Sequence, residues 1–421
     1  MGKLKITLFL LLFLILLILA LPFLVPVNLF AQPVLDLGKR ITHGQFEAQN
    51  VRIEYYPAPA LVLENVTLAK EGAEIERLVV PANLRNVMAW GESLQGLRIE
   101  GGRFSTDFAT HLHQRLKPEP GAPRLAALTL ERTSLIRGKE EIGPVNGELR
   151  FGASGELTEL YVTDNSGQLE LQVQPGSAPG QFAMQLNATG WELPLGHPVK
   201  FDFLRLKGVA GDQGLDVTEI RGDLYGGVVT GSAKLAWGEQ GWQLSGDVRG
   251  SGIQAEPFSK VFSPTTYATG RLESEARFVY QGTDYHNLFD HPGVDATVLV
   301  RDGMLHNFDL VTPLKSSTPV TYSRGGQTRF DAASAKVAIR DTLVQFSNAK
   351  VDGGKFSASG YLAIRDGKKL DGAVQARLAS GPISVSNQIR IAGELATPEF
   401  RTGAAYRPRQ EDTAPTPTPE P

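Results

Sequence analysis

Residues 217–237 read VTEIRGDLYGGVVTGSAKLAW, and residues 344–364 read VQFSNAKVDGGKFSASGYLAI. The two segments align without gaps at an offset of 127, sharing Val217/Val344, a Gly-Gly pair, Ser232/Ser359, Leu235/Leu362 and Ala236/Ala363. In the first, Val229, Gly231, Ala233, Leu235 and Trp237 alternate with Thr230, Ser232 and Lys234. The second keeps that parity through Phe356, Ala358, Gly360, Leu362 and Ile364. Alternation of this kind puts apolar side chains on one face of a strand and polar ones on the other. Each segment therefore reads as strand, Gly-Gly turn, strand. The match reads as an internal repeat, with the grammar shared by all hairpins as the alternative.

The same pattern extends outward along the chain. Leu169, Leu171 and Val173 alternate with Glu170 and Gln172, and Phe182, Met184, Leu186 and Ala188 with Ala183, Gln185 and Asn187. Leu272, Ala276 and Phe278 oppose Arg271, Glu273, Glu275 and Arg277. Hairpin turns are expected at Asn146-Gly147, Asp302-Gly303, Asp366-Gly367 and Asp371-Gly372, which tolerate positive φ. Gly101-Gly102, Gly226-Gly227, Gly325-Gly326 and Gly353-Gly354 can do the same. The 45 glycines in 421 residues exceed the ordinary share of about 7% and fit a chain of many turns. Short helices are expected at Leu84–Trp90, Phe104–Leu116, Ala255–Phe262 and Tyr285–Phe289.

The ends differ from this body. Ile6 to Val27 is an apolar run with Thr7 as its only polar side chain. As a helix it would be about 33 Å long, enough for a hydrocarbon core of about 30 Å. It reads as a single membrane anchor with residues 1–5 in the cytoplasm, a cleaved signal peptide being the alternative. From residue 403 onward, prolines among Thr, Glu and Asp predict a disordered tail, 403–421.

Composition narrows the chemistry. With 42 Lys+Arg against 45 Asp+Glu, bulk charge gives no grip on nucleic acid. The absence of cysteine excludes disulfides, thiol nucleophiles and Cys-ligated zinc. No HExxH, G-x-S-x-G or phosphate-loop pattern occurs. Asp284, His286, Asp290 and His291 form the densest group of ligand-type side chains and read as a hydrophilic loop. No catalytic residue, metal site or cofactor is expected, and the chain does not read as an enzyme.

An ordered set of motifs resembles the AsmA-like family of bacterial envelope proteins. After the apolar run come Pro59-Ala60-Leu61-Val62-Leu63-Glu64-Asn65-Val66-Thr67-Leu68, then Ile75–Pro81, the short helix at Leu84–Trp90, and Leu97-Arg98-Ile99-Glu100-Gly101. Leu224-Tyr225-Gly226-Gly227 with Gly231-Ser232-Ala233 resembles the family's recurring hairpin. Val298–Gly303 followed by Asp309-Leu310, and Ile391–Pro398, resemble two later elements. The similarity spans most of residues 1–400.

The resemblance implies a mostly β protein: one N-terminal transmembrane helix, then a long twisted antiparallel sheet curled into a groove, with a few short helices. Its parts would be the anchor at 6–27, an N-terminal β module at 33–116 and repeated hairpins at 125–402. It also implies a place in the bacterial inner membrane with the bulk in the periplasm, and a role in outer-membrane biogenesis. The partners implied are the membrane, phospholipid and other envelope proteins. The length allows roughly 25–30 ordinary strands, or about 120–145 Å of sheet. Phe182, Met184, Leu186, Val229, Leu235, Trp237, Phe278, Phe356, Leu362 and Ile364 are the candidates for a lipid-facing lining. Two alternatives stay open at this point: the same residues could fill a closed β core in an envelope scaffold, or belong to a polysaccharide-active solenoid.

Overall fold

The computed structural model describes residues 27–402, apart from 42–45, 69–71, 89–92, 106–107, 109–123, 138–139, 179, 193–197, 212, 239–240, 285–286, 317–318, 324 and 381–382. The expected anchor, save Val27, and the Pro/Thr tail lie outside these residues. Among the described residues no helix is long and apolar enough to cross a membrane.

Helix α1 (Val27–Ile41) overlaps the start of the module expected at 33–116, which was read as strands with short helices. Ala31, Val34, Leu35 and Gly38 stand at helical spacing, and together they form an apolar stripe. Ala31, Val34 and Leu35 pack into the cluster built on the first strands. Lys39 and Arg40 fall in the last turn, where they complement the helix dipole.

The sheet opens with β1 (Phe46–Glu54), β2 (Ala60–Leu68) and β3 (Ala73–Pro81), paired antiparallel in that order. Helix α2 (Leu84–Met88) follows, fixed by the fully buried Asn86. Its Nδ2 donates to the carbonyls of Pro81 and Gln95, and its Oδ1 accepts from Gln95 N–H. After β4 (Ser93–Leu94), β5 (Leu97–Ser105) joins β3. Beyond β6 (Arg124–Leu125), which pairs with β4, comes β7 (Ala127–Arg137), and β7 lies parallel to β5. This is the one parallel joint among the described strands of a sheet expected to be antiparallel throughout. A parallel joint needs a crossover segment, here residues 106–126.

From β7 the sheet runs as an antiparallel meander: β8 (Glu140–Phe151), β9 (Leu157–Asp164), β10 (Leu169–Pro175), β11 (Phe182–Glu192), β12 (Lys200–Gly211), β13 (Gly214–Leu224) and β14 (Gly227–Gly238). It continues through β15 (Gly241–Gln254), helix α3 (Ala255–Lys260), β16 (Tyr267–Gly282) and β17 (Pro292–His306). A 3-10 turn (Thr312–Lys315) and β18 (Val320–Tyr322) then interrupt the order, and β19 (Gln327–Arg340) pairs back onto β17. The last strands are β20 (Leu343–Gly353), β21 (Phe356–Arg365), β22 (Lys369–Ser380), β23 (Ile383–Glu394) and β24 (Thr397–Thr402), with β18 paired outside β24.

Among the described residues one twisted sheet of 22 strands results, with β4 and β6 paired apart from it, and the central strands reach 14 to 16 residues. At about 4.8 Å per strand it extends about 100 Å along its hydrogen-bonded direction. Phe104 and Ser105 belong to β5 and not to a helix, and Asn287–Asp290 form turns. Asn146-Gly147, Asp302-Gly303, Asp371-Gly372 and Gly101-Gly102 lie inside strands, not at hairpin ends. Close approach explains three of these: a Cβ on Gly147, Gly303 or Gly372 would come within 2.7 Å of the carbonyl oxygen of Tyr161, Thr269 or Tyr361.

The two segments aligned above are equivalent hairpins, but at an offset of 129. Their two-residue turns are Tyr225-Gly226 and Gly354-Lys355. Their bulges fall between Val217 and Ile220 and between Phe346 and Ala349. A slip of two residues preserves the inside-outside parity, so the polarity pattern fits both offsets equally well.

Candidate functional site

Directly paired residues on neighbouring strands project from the same side of a sheet, so the register can be followed as rows. One row crosses every strand. It starts Val51, Leu63, Leu78, Ile99 and Leu130, crossing from β1 to β7. It continues Gly147, Val162, Leu171, Leu186, Leu206, Ile220, Gly231, Val248, Ala276 and Ala296. It ends Val337, Phe346, Leu362, Gly372, Ile391, Phe400 and Tyr322. All 22 strands place an apolar residue, a tyrosine or a glycine in it. In a chain with 21% charged residues, chance alone would put several charges there.

A second row runs alongside from Leu97 to Leu370, through Leu149, Val173, Met184, Ala233, Phe278, Val294 and Ile364 among others. Gly246 stands in it because a Cβ there would lie 2.4 Å from the Ser232 carbonyl oxygen and 2.6 Å from Phe278 Cζ. The other face carries cross-strand ion pairs such as Lys207–Glu219 (3.2 Å), Arg249–Glu275 (2.6 Å) and Arg277–Asp247 (2.9 Å). These exposed pairs add little stability, but they keep that face wet.

Burial along the first row divides the molecule. Leu63, Leu78 and Ile99 are buried beneath α1, and Ile391 and Phe400 are buried at the far end. Between them, from Leu130 to Leu362, no member of the row is fully buried. The middle of the apolar face is therefore half-exposed, and the ends are dry.

No known protein family, curated protein or solved structure matches this chain.

The ten candidate lining residues all lie on this face. Leu186 and Leu362 stand in the first row, and Met184, Phe278 and Ile364 in the second. Phe182 and Leu235 belong to a third row with Leu215, Leu244 and Tyr280. Trp237 pairs with Trp242, their rings 5.3 Å apart. Eight of the ten are half-buried. Val229 and Phe356 are instead packed into dry clusters, and Leu362 and Ile364 lean against the C-terminal one.

The sequence reading missed what closes the C-terminal end. Phe308, Leu310 and Leu314, from the loop after β17, fill the space over Phe356, Leu370, Ile391 and Phe400. The Phe308 and Phe400 rings meet edge to face at 4.9 Å. Buried Thr328 fixes this stopper, donating its hydroxyl to the Phe308 carbonyl (2.7 Å) and accepting from Leu310 N–H (2.9 Å). Asn307 Nδ2 donates to the Ala396 carbonyl (3.0 Å), and the Thr266 hydroxyl donates to that of Leu395. By register, the β23–β24 turn lies on the sheet edge opposite Thr266 and Asn307. These bonds therefore fold the terminal strands over the apolar face. Asp309-Leu310 was visible as a motif, but nothing in its spacing revealed a stopper.

The two long edges of the middle stretch also differ. One is dry, with Phe201, Leu204, Leu224, Ile253 and Leu272 packed with Ala255 and Phe258 of α3. The other is aromatic and half-buried: besides the tryptophans, Tyr280 lies 6.0 Å from Phe278 and 5.5 Å from Phe289. Burial raises the pKa of the Tyr280 hydroxyl. Among the described residues no group of His, Asp and Glu converges on a metal-sized space, and His286 lies outside them. His291 Nδ1 pairs instead with Asp341 (2.8 Å).

Proposed function

We propose that this chain is an AsmA-like protein of the bacterial envelope, anchored in the inner membrane by residues 6–27 with its sheet in the periplasm. The sheet curls into a groove that holds phospholipid acyl chains, and the protein serves outer-membrane biogenesis without catalysis or a cofactor. The observation that carries this reading is the unbroken apolar row, whose middle stretch is half-exposed across more than a dozen strands. An apolar face of that extent calls for cover. Each methylene buried there contributes about 0.8 kcal/mol, so even partial shielding of two acyl chains is a large favourable term. Head groups stay in water, and the wet outer face keeps the sheet soluble.

The dry clusters at both ends favour a second reading, in which the chain is an envelope scaffold that carries no lipid. Mass spectrometry of organic extracts from the purified full chain separates the two. Stoichiometric phospholipid, lost in a folded variant carrying Leu186→Asp and Leu235→Asp, supports the groove. A folded, lipid-free wild-type chain favours the scaffold.

A further inference from the structure

We propose that phospholipid loads sideways, across the aromatic edge formed by Trp237, Trp242, Tyr280 and Phe289, and not through either end of the apolar face. The inference rests on the groove reading above and adds where its cargo passes. Packed clusters stand on three sides of the half-exposed stretch. Helix α1 covers the N-terminal strands, and the Phe308–Leu314 stopper fills the C-terminal end beneath folded-over strands. The edge beside α3 is a packed cluster. The fourth side is lined by half-buried aromatic rings around the β14–β15 and β16–β17 turns.

Those side chains suit the task chemically. Tryptophan and tyrosine present an apolar body and a polar tip, the combination favoured where acyl chains meet water and head groups. The loop after β16 strengthens the edge, with Leu288 buried and Phe289 packed on Tyr280. A lipid crossing here slides its tails past rings onto Leu235 and Leu244 while its head group remains outside. A face sealed at both ends holds a finite cargo and does not thread lipid from end to end.

The test uses the full chain and vesicles of phosphatidylethanolamine and phosphatidylglycerol that contain pyrene-labelled phosphatidylglycerol. The triple variant Trp237→Ala, Trp242→Ala, Tyr280→Ala should slow loading roughly tenfold, the effect of losing a few aromatic contacts in the passage step. Loosening the stopper with Leu310→Ala and Leu314→Ala should leave the loading rate as it was. A normal rate in the aromatic variant overturns the proposal, as does faster loading in the stopper variant. A wild-type chain that takes up no lipid overturns the groove reading itself, a result distinct from either. Should the triple variant fail to fold, a photoreactive phenylalanine at position 242 or 310 decides. Lipid adducts at 242 and not at 310 support the aromatic edge, and the reverse overturns it.

Discussion

Hairpins β13–β14 and β20–β21 share turn length, bulge position and parity, yet they live in different surroundings. Gly231 and Gly360 occupy the same place after the bulge, each facing a neighbouring backbone that would clash with a Cβ. Ala233 and Leu235 of the first hairpin are half-buried on the uncovered stretch. Their counterparts Leu362 and Ile364 are half-buried too but lean against the stopper cluster, while Val229 and Ala358 are buried alike at a third equivalent position. The difference comes from Phe308, Leu310 and Leu314, which arrive from a loop between other strands. Identical strand grammar thus meets the side chains of a distant loop in one place and stands without that loop in the other.

The largest effect that would break this comparison is a charge in the shared row. Ile391→Asp buries an unpaired carboxylate in the dry end and should cost at least about 4 kcal/mol, melting β21–β24 in hydrogen exchange. Leu186→Asp, in the same row but on the half-exposed stretch, should cost at most about half as much and leave the chain folded. Equal losses at the two sites would mean that the middle is as closed as the end.

Truncating the stopper comes next. Leu310→Ala should lower stability by about 3 kcal/mol, read as a shifted denaturant midpoint, with the damage confined to the C-terminal strands. Thr328→Val removes the hydroxyl shared by Phe308 and Leu310 and should cost about 1–2 kcal/mol. If it changes nothing, the stopper is held by packing alone.

A smaller effect concerns Tyr280. Its raised pKa means that the folded chain holds the phenolic proton more tightly than the unfolded chain, whose tyrosines titrate near about 10. The contribution is complete below that pH and is lost as pH rises through the folded value. Ultraviolet titration should show one late-ionising tyrosine that is missing in Tyr280→Phe. Smallest of all, Arg277→Ala on the wet face should leave the melting temperature unmoved, since its pair with Asp247 is solvent-exposed.

Much of this molecule is legible without coordinates. Alternation in Phe182–Ala188 and Val229–Trp237 yields the strands and the apolar side of each, because side-chain direction in a strand depends only on parity. Parity is also where legibility stops. It cannot separate an offset of 127 from 129, nor tell a glycine in a turn from Gly147 or Gly372 inside a strand. The helical stripe of α1 was hidden by its position, directly after a long apolar run.

By itself, then, the sequence determined an all-β chain with one apolar and one polar face, since burial period is a local property of the backbone. Only the tertiary structure decided which parts of the apolar face are covered. That choice is made by residues far apart in the chain: Thr328 gripping Phe308 and Leu310, and Asn307 and Thr266 clasping the β23–β24 turn. Such contacts depend on how the sheet bends and where its edges meet, and no local pattern encodes that.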